Sequence, residues 1–173
     1  MRLDDDDFSL FGLPPQQAQQ RAEIDARWKA LQAQVHPDKF AAEGAAAQRL
    51  AMQWALRVNE AHQRLRDPLK RAAYLCELRG APLLANENTR MPTQFLMEQM
   101  AWREGLDEAA TWVEVQAIDD QVAARETALL AEVERLLDQA GDAFAAADQV
   151  RALMFLAKFR SDIDKRLEAL ENQ

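Results

Sequence analysis

The chain has 173 residues, 49% of them apolar, and a formal charge of −8. That is enough for one ordinary domain or two small ones with a packed core, and the net negative charge weighs against nucleic-acid binding. No apolar run is long enough to span a bilayer, no secretory pattern precedes Asp4-Asp5-Asp6-Asp7, and the lone Cys76 excludes an internal disulfide and a cysteine metal cluster, so a reducing, cytoplasmic setting is expected.

Charge is unevenly spread. Residues 1–7 hold four Asp and one Arg, residues 8–80 hold 11 Lys/Arg against 7 Asp/Glu, and residues 81–173 hold 9 against 18. A mildly basic head joined to an acidic tail suggests two surfaces for two partners. Five Gly and six Pro among many Ala, Leu, Gln and Glu favour helices throughout.

The apolar patch from Phe8 to Leu13 ends at Pro14-Pro15 and has room for a helical turn or two. From about Ala18 to Val35 the pattern is helical, with Ile24, Trp28, Leu31 and Val35 stacked on one face and Arg21, Arg27 and Lys29 off it. His36-Pro37-Asp38-Lys39-Phe40 then interrupts it. Proline fixes its own φ and disfavours helical geometry at the residue before it, so the helix stops and a rigid loop holds an imidazole beside a carboxylate. A second helix is expected from about Ala45 to Arg66, with Leu50, Trp54, Val58, Ala61 and Leu65 on its buried stripe. Asp67-Pro68 opens a short helix that ends at Gly80.

Gly80, Pro82, Asn86, Asn88 and Pro92 mark a linker. Beyond it, helices are expected over about 93–109, 112–139 and 142–169. The second carries Val115, Ile118, Val122, Leu129, Val133 and Leu136 in near-heptad spacing. The third carries Leu153, Leu156, Phe159, Ile163, Leu167 and Leu170 on one face. No single helix can bury its own seam, so a three-helix bundle is the economical arrangement.

The helix over 93–109 has two apolar sides. At about 100° per residue, with Phe95 at zero, Trp102, Leu106 and Ala109 fall within about 40° of it. Leu96, Met97 and Met100 fall at about 100°, 200° and 140°, among Glu104 and Glu108 near 180° and 220°. Apolar residues with an acidic rim mark a binding patch, and methionine adapts its shape to a partner. A helix wedged between two others would also be apolar on both sides, and periodicity does not separate the two readings. Phe155 lies about 100° from the buried stripe of its own helix and is expected to be half-exposed. Gly105, inside the 93–109 helix, has no evident reason in the sequence.

Three segments of the head resemble a J-domain, the module by which DnaJ-type co-chaperones engage a DnaK-type ATPase. They are Val35-His36-Pro37-Asp38-Lys39-Phe40, Val58-Asn59-Glu60-Ala61 with His62 in the aromatic position, and Leu65 to Tyr74 around Asp67-Pro68. The whole chain is similar to the HscB-type co-chaperones of iron–sulfur cluster biogenesis, through Phe11-Gly12-Leu13-Pro14, the same signature loop, and Phe95 to Met100 with Arg103-Glu104 and Leu106-Asp107-Glu108. The resemblance implies an all-α protein: a J-domain over 1–80, a linker over 81–92 and a client-binding three-helix bundle over 93–173. It implies two partners, an HscA-type DnaK chaperone and an IscU-type scaffold, with no nucleic acid, membrane, metal or cofactor.

By the same resemblance the chaperone-binding residues are Arg27, Lys29, His36, Pro37, Asp38 and Lys39, and the client-binding residues are Leu96, Met97, Met100, Arg103, Glu104, Glu108 and Phe155. The chain departs from the family where Ala30, Ala33 and Gln34 replace cations, leaving Arg27 and Lys29 to supply most of the charge before the loop, and at Ala101, where an acidic residue is common. No Ser/His/Asp set, phosphate loop or paired-carboxylate cleft can be placed, so the chain is expected to stimulate a partner's ATPase rather than act as an enzyme. His36 and Asp38 lack a third residue for a metal site. The alternatives are a J-domain protein for a different client, or a structural helical adaptor acting on no ATPase.

Overall fold

The computed structural model describes residues 2–84 and 89–172, and these residues contain helices and no strand. In chain order the helices are α1 (Asp7–Phe11), α2 (Arg21–Val35), a 3₁₀ segment (Pro37–Glu43), α3 (Ala45–Arg66), α4 (Pro68–Leu78), α5 (Thr93–Glu108), α6 (Trp112–Glu134), which runs on as a π-helical segment (Arg135–Ala140), and α7 (Ala143–Glu171). The chain divides into two compact units, Met1–Leu75 and Cys76–Gln173, and the break falls within α4. Among the described residues no helix is long and apolar enough to cross a membrane.

In the first unit, α2 and α3 form the expected hairpin. Its core is Ile24 and Val35 from α2 and Ala51, Val58, Ala61 and Leu65 from α3, closed by Phe8, Phe11 and Leu13 and by Leu75 of α4. Trp28 is only half-buried. It stacks on His62 with ring centroids 4.4 Å apart, and its indole donates to Asn59 at 2.9 Å. His62 also meets Asp25 at 2.7 Å. The imidazole thus packs where an aromatic was expected, and its hydrogen bond is the leading cause that holds the Asp25 carboxyl below the usual carboxylate range.

Two expectations for this unit need correction. Helix α2 starts at Arg21 rather than Ala18. The glutamines before it turn their side chains onto backbone carbonyls: Gln17 donates to Pro68 at 2.9 Å and Gln19 to Pro14 at 2.7 Å. Arg71 takes the Gln17 carbonyl from the other side at 2.9 Å. Good helix formers are held in a loop because side chains compete for the backbone.

Leu50 is 50% exposed instead of core. Helix α2 stops at Val35, and Leu50 rims an open cleft of about 380 Å³ between the end of α2, the 3₁₀ segment and α3, lined also by Val35, Phe40, Ala51 and Trp54. The acidic run at the start of the chain ends in a buried residue. Asp7 is wholly buried, 2.7 Å from Arg57 and 2.8 Å from Arg64. Its backbone amide donates to the Tyr74 hydroxyl at 3.0 Å.

Helix α4 ends where expected, in a Schellman turn. Gly80 adopts φ +78°, its amide reaches Glu77 at 3.1 Å, and the Ala81 amide reaches Cys76 at 2.8 Å. Residues 81–84 and 89–92 have no regular structure. Asn86 and Asn88 lie outside the described residues.

The second unit is built on an antiparallel α6–α7 hairpin. Val115, Val122, Leu129 and Val133 meet Val150, Leu153, Leu156, Phe159 and Ile163, all buried. Ala143, Ala146 and Ala147, buried in the early turns of α7, let it pack closely on the π-helical segment before it. Ile118, Leu167 and Leu170 are half-buried rather than core. The last turns before the connection widen to π-helix, which the continuous apolar pattern did not reveal. Helix α5 lies on this hairpin through Phe95, Trp102 and Ala109. It is tied to α6 by Glu98–Arg125 at 2.8 Å and by the Trp102 indole, which donates to Gln121 at 3.3 Å.

Candidate functional site

The signature loop follows from its sequence. His36 closes α2 with extended dihedrals, φ −61° and ψ 125°, as a residue before proline must. Pro37 then occupies the first position of the 3₁₀ segment, where a missing N–H costs nothing. The Lys39 amide donates to the His36 carbonyl at 3.0 Å, and the Asp38 amide donates to His36 Nδ1 at 3.3 Å. The imidazole therefore braces the turn that carries the carboxylate. The Asp38 side chain is 90% exposed, 3.6 Å from His36 Nδ1. Gly44, at φ +95° and ψ 171°, ends the loop in a conformation that side chains resist and admits α3.

The cations around the loop differ in freedom. Lys29 and Lys39 are exposed. Arg27 is pinned by Glu23 at 3.0 Å and by the Phe11 carbonyl at 3.4 Å. Of the two cations expected to supply charge before the loop, one is partly committed to holding α1 on α2.

In the second unit the two sides of α5 separate cleanly. Phe95 is fully buried, while Leu96 is 38% exposed and Met97 and Met100 are each 69% exposed. A helix buried on both sides would cover these three, and it does not. Arg103, Glu104, Glu108 and Ala101 are exposed around them. Phe155 of α7 is half-buried, edge-on to Phe95 at 5.8 Å and stacked on Phe159 at 6.1 Å. The Arg103 guanidinium lies 5.0 Å from the Phe155 ring centre and 5.8 Å from that of Phe159.

The structure thus gathers His36, Pro37, Asp38 and Lys39 in one exposed loop, and Leu96, Met97, Met100 and Arg103 with Phe155 on one face of the α5–α7 layer. Glu104 and Glu108 follow on α5. Sequence reasoning missed Arg125, whose ion pair with Glu98 fixes α5 from behind, and Met154, 39% exposed beside Phe155. A charged residue one turn from the patch was the available signal for Glu98. None pointed to Arg125.

Among the described residues no group of three His, Cys, Asp or Glu is placed to hold a metal ion. Arg151 is buried on α7 and donates to the carbonyls of Arg90 at 2.7 Å and Leu83 at 3.0 Å. It fixes the chain leading into α5, and so the register of the patch.

Comparison with known proteins gives consistent results. A family model described as the HSCB C-terminal oligomerisation domain matches residues 91–164. The chain is 49% identical over 172 residues to the co-chaperone protein HscB homolog of Burkholderia multivorans, covering 98% of each chain. It is 47% identical over 173 residues to the homolog of Paraburkholderia phytofirmans, again with 98% of each covered. Among solved structures, chaperone HscB from Vibrio cholerae aligns with a TM-score of 0.82 at 36% identity, over 96% of this chain and 99% of that one. Human co-chaperone protein HscB aligns with a TM-score of 0.88 at 25% identity, over 96% of this chain and 84% of that one.

Proposed function

The chain belongs to the HscB co-chaperone family, and on that premise we propose that it binds an IscU-type iron–sulfur scaffold protein, brings it to an HscA-type DnaK chaperone and stimulates that chaperone's ATPase. The setting is cytoplasmic. The J-domain occupies 1–80, the linker 81–92 and the client-binding bundle 93–173.

On the chaperone side, Asp38 on its braced loop accepts a charge-assisted hydrogen bond from an arginine across the interface. Lys29 and Lys39 steer the encounter and set orientation, with a smaller contribution from Arg27. The chain performs no bond chemistry. It favours the hydrolysing conformation of the ATPase by binding that conformation better.

On the client side, Leu96, Met97 and Met100 supply apolar area that a partner can bury, Phe155 with Arg103 forms a firm edge, and Glu104 and Glu108 select a basic rim. The observation that carries this reading is the exposure of Met97 and Met100 on a helix whose other side is closed by Phe95. Truncating Leu96, Met97 and Met100 together to Ala abolishes scaffold binding in a calorimetric titration and spares basal stimulation of the chaperone. Unchanged scaffold affinity overturns the client assignment.

A further inference from the structure

Two of the three apolar residues on the exposed side of α5 are methionines. Met97 and Met100 are one turn apart and 69% exposed, so an oxidant in solution reaches both thioethers. Their turn of helix is held by Phe95 and Trp102 on the opposite side and by the Glu98–Arg125 pair, so a change at the two sulfurs leaves the packing of α5 alone. Cys76 is buried, and burial pushes its thiol up to about 11, so it stays protonated and slow to react. Oxidant chemistry on this chain therefore falls on thioethers.

We propose that Met97 and Met100 form a reversible oxidation switch, in which sulfoxide formation by hydrogen peroxide releases the client from the patch. The inference rests on the scaffold-binding reading above. In the forward step peroxide transfers one oxygen atom to each sulfur: the O–O bond breaks, an S–O bond forms, the sulfur is oxidised by two electrons and water leaves. In the reverse step a dithiol reductase takes the oxygen away as water and becomes a disulfide.

A sulfoxide oxygen is a strong acceptor, and burying it under a partner without a donor is costly. On this chain the Glu104 and Glu108 carboxylates only accept, Arg103 is drawn over Phe155, and the partner's basic rim is engaged by the two glutamates, so the surface over the thioethers is the apolar one. The oxidised patch keeps its shape and loses its apolar character.

The test uses the full chain and a purified IscU-type scaffold. The chain is treated with hydrogen peroxide, catalase removes the excess, peptide mass spectrometry locates the added oxygen atoms, and calorimetry gives the affinity before and after. The wild-type chain is expected to lose about ten-fold in affinity for each sulfoxide, with its circular dichroism unchanged. Methionine sulfoxide reductase with dithiothreitol restores the original value.

In Met97→Leu/Met100→Leu, whatever its starting affinity, the ratio before and after peroxide is near one. In Met52→Leu, which removes the exposed methionine of α3, the ratio matches that of the wild type. Three results overturn the switch: equal affinity with both sulfoxides present, an equal loss in the double leucine variant, or no recovery on enzymatic reduction. If the untreated wild-type chain does not bind the scaffold, the scaffold reading itself fails, which is a separate and recognisable outcome.

Discussion

The guanidinium of Arg103 on α5 lies 5.0 Å from the centre of the Phe155 ring on α7. An exposed cation over an aromatic face is worth about 0.5–1 kcal/mol. Its placement matters more than its energy, because it fixes the edge of the apolar patch. Arg103→Ala is expected to lower the unfolding free energy by about that amount in a urea titration and to weaken scaffold binding. A variant of unchanged stability shows that the ring does not depend on this cation.

Asp7 makes a larger contribution. Its carboxylate is wholly buried between Arg57 at 2.7 Å and Arg64 at 2.8 Å. Arg57 also donates to the Asp5 carbonyl at 2.8 Å, so the segment before α1 is latched onto α3. Only Asp7 is fully buried, and the side chain of Arg64 is 38% exposed, so removing the carboxylate costs its charge-assisted hydrogen bonds, about 1.5–3 kcal/mol, rather than leaving a buried charge unpaired. Asp7→Ala is expected to shift the urea midpoint accordingly, whereas Asp4→Ala, at an exposed aspartate of the same run, is expected to be nearly silent.

Gly105 gives a prediction of opposite sign. A Cβ built there meets Ile118 Cδ1 at 3.4 Å, an ordinary contact with the end of a flexible side chain. The structure therefore gives no steric reason for glycine, and Gly105→Ala is expected to stabilise the chain by about 1 kcal/mol. Because the residue faces α6, scaffold affinity is expected to be unchanged. A destabilised variant points to a tighter α5–α6 approach.

Cys76 sets an alkaline limit. Burial pushes its thiol from 9.0 to about 11, against the opposing pull of Arg79 and Arg151. A folded thiol with a raised pKa contributes stability that is fully present below the unfolded value and lost as pH rises from 9.0 toward about 11. Tyr74, also raised chiefly by burial, acts in the same direction. Comparing urea midpoints of the wild type and Cys76→Ala across this range isolates the thiol: the wild type is expected to fall more steeply. Native Cys76 is also expected to resist iodoacetamide at pH 8.

The parts of this structure that were legible in the sequence are those where one helix face meets one neighbour. Phe95, Trp102 and Ala109 sort from Leu96, Met97 and Met100 by angle alone, because α5 lies on the hairpin by a single side. Leu50 shows the limit of that method: periodicity gives the face of α3 but not the point at which α2 ends and stops covering it. Asp7 was illegible because its partners come from another helix, seven residues apart, while composition registers only a run of like charges. Gln19 falls in the span expected to be helical, and its side chain instead caps the carbonyl of Pro14, while Gln17 just before that span satisfies the Pro68 carbonyl, which only the folded chain brings near. The loop was legible because Pro37 acts on its immediate neighbours, and the covalent chain fixes those before any tertiary contact forms.

The central claim is that the His36-Pro37-Asp38 loop and the Met-lined patch act in one cycle. Its most direct test is single-turnover ATP hydrolysis by a purified HscA-type chaperone, with the scaffold and this protein added separately and together. Stimulation by the pair is expected to exceed the sum of the separate effects, and Asp38→Asn is expected to remove this chain's share while leaving scaffold binding intact. Equal stimulation by the wild type and Asp38→Asn would contradict the account.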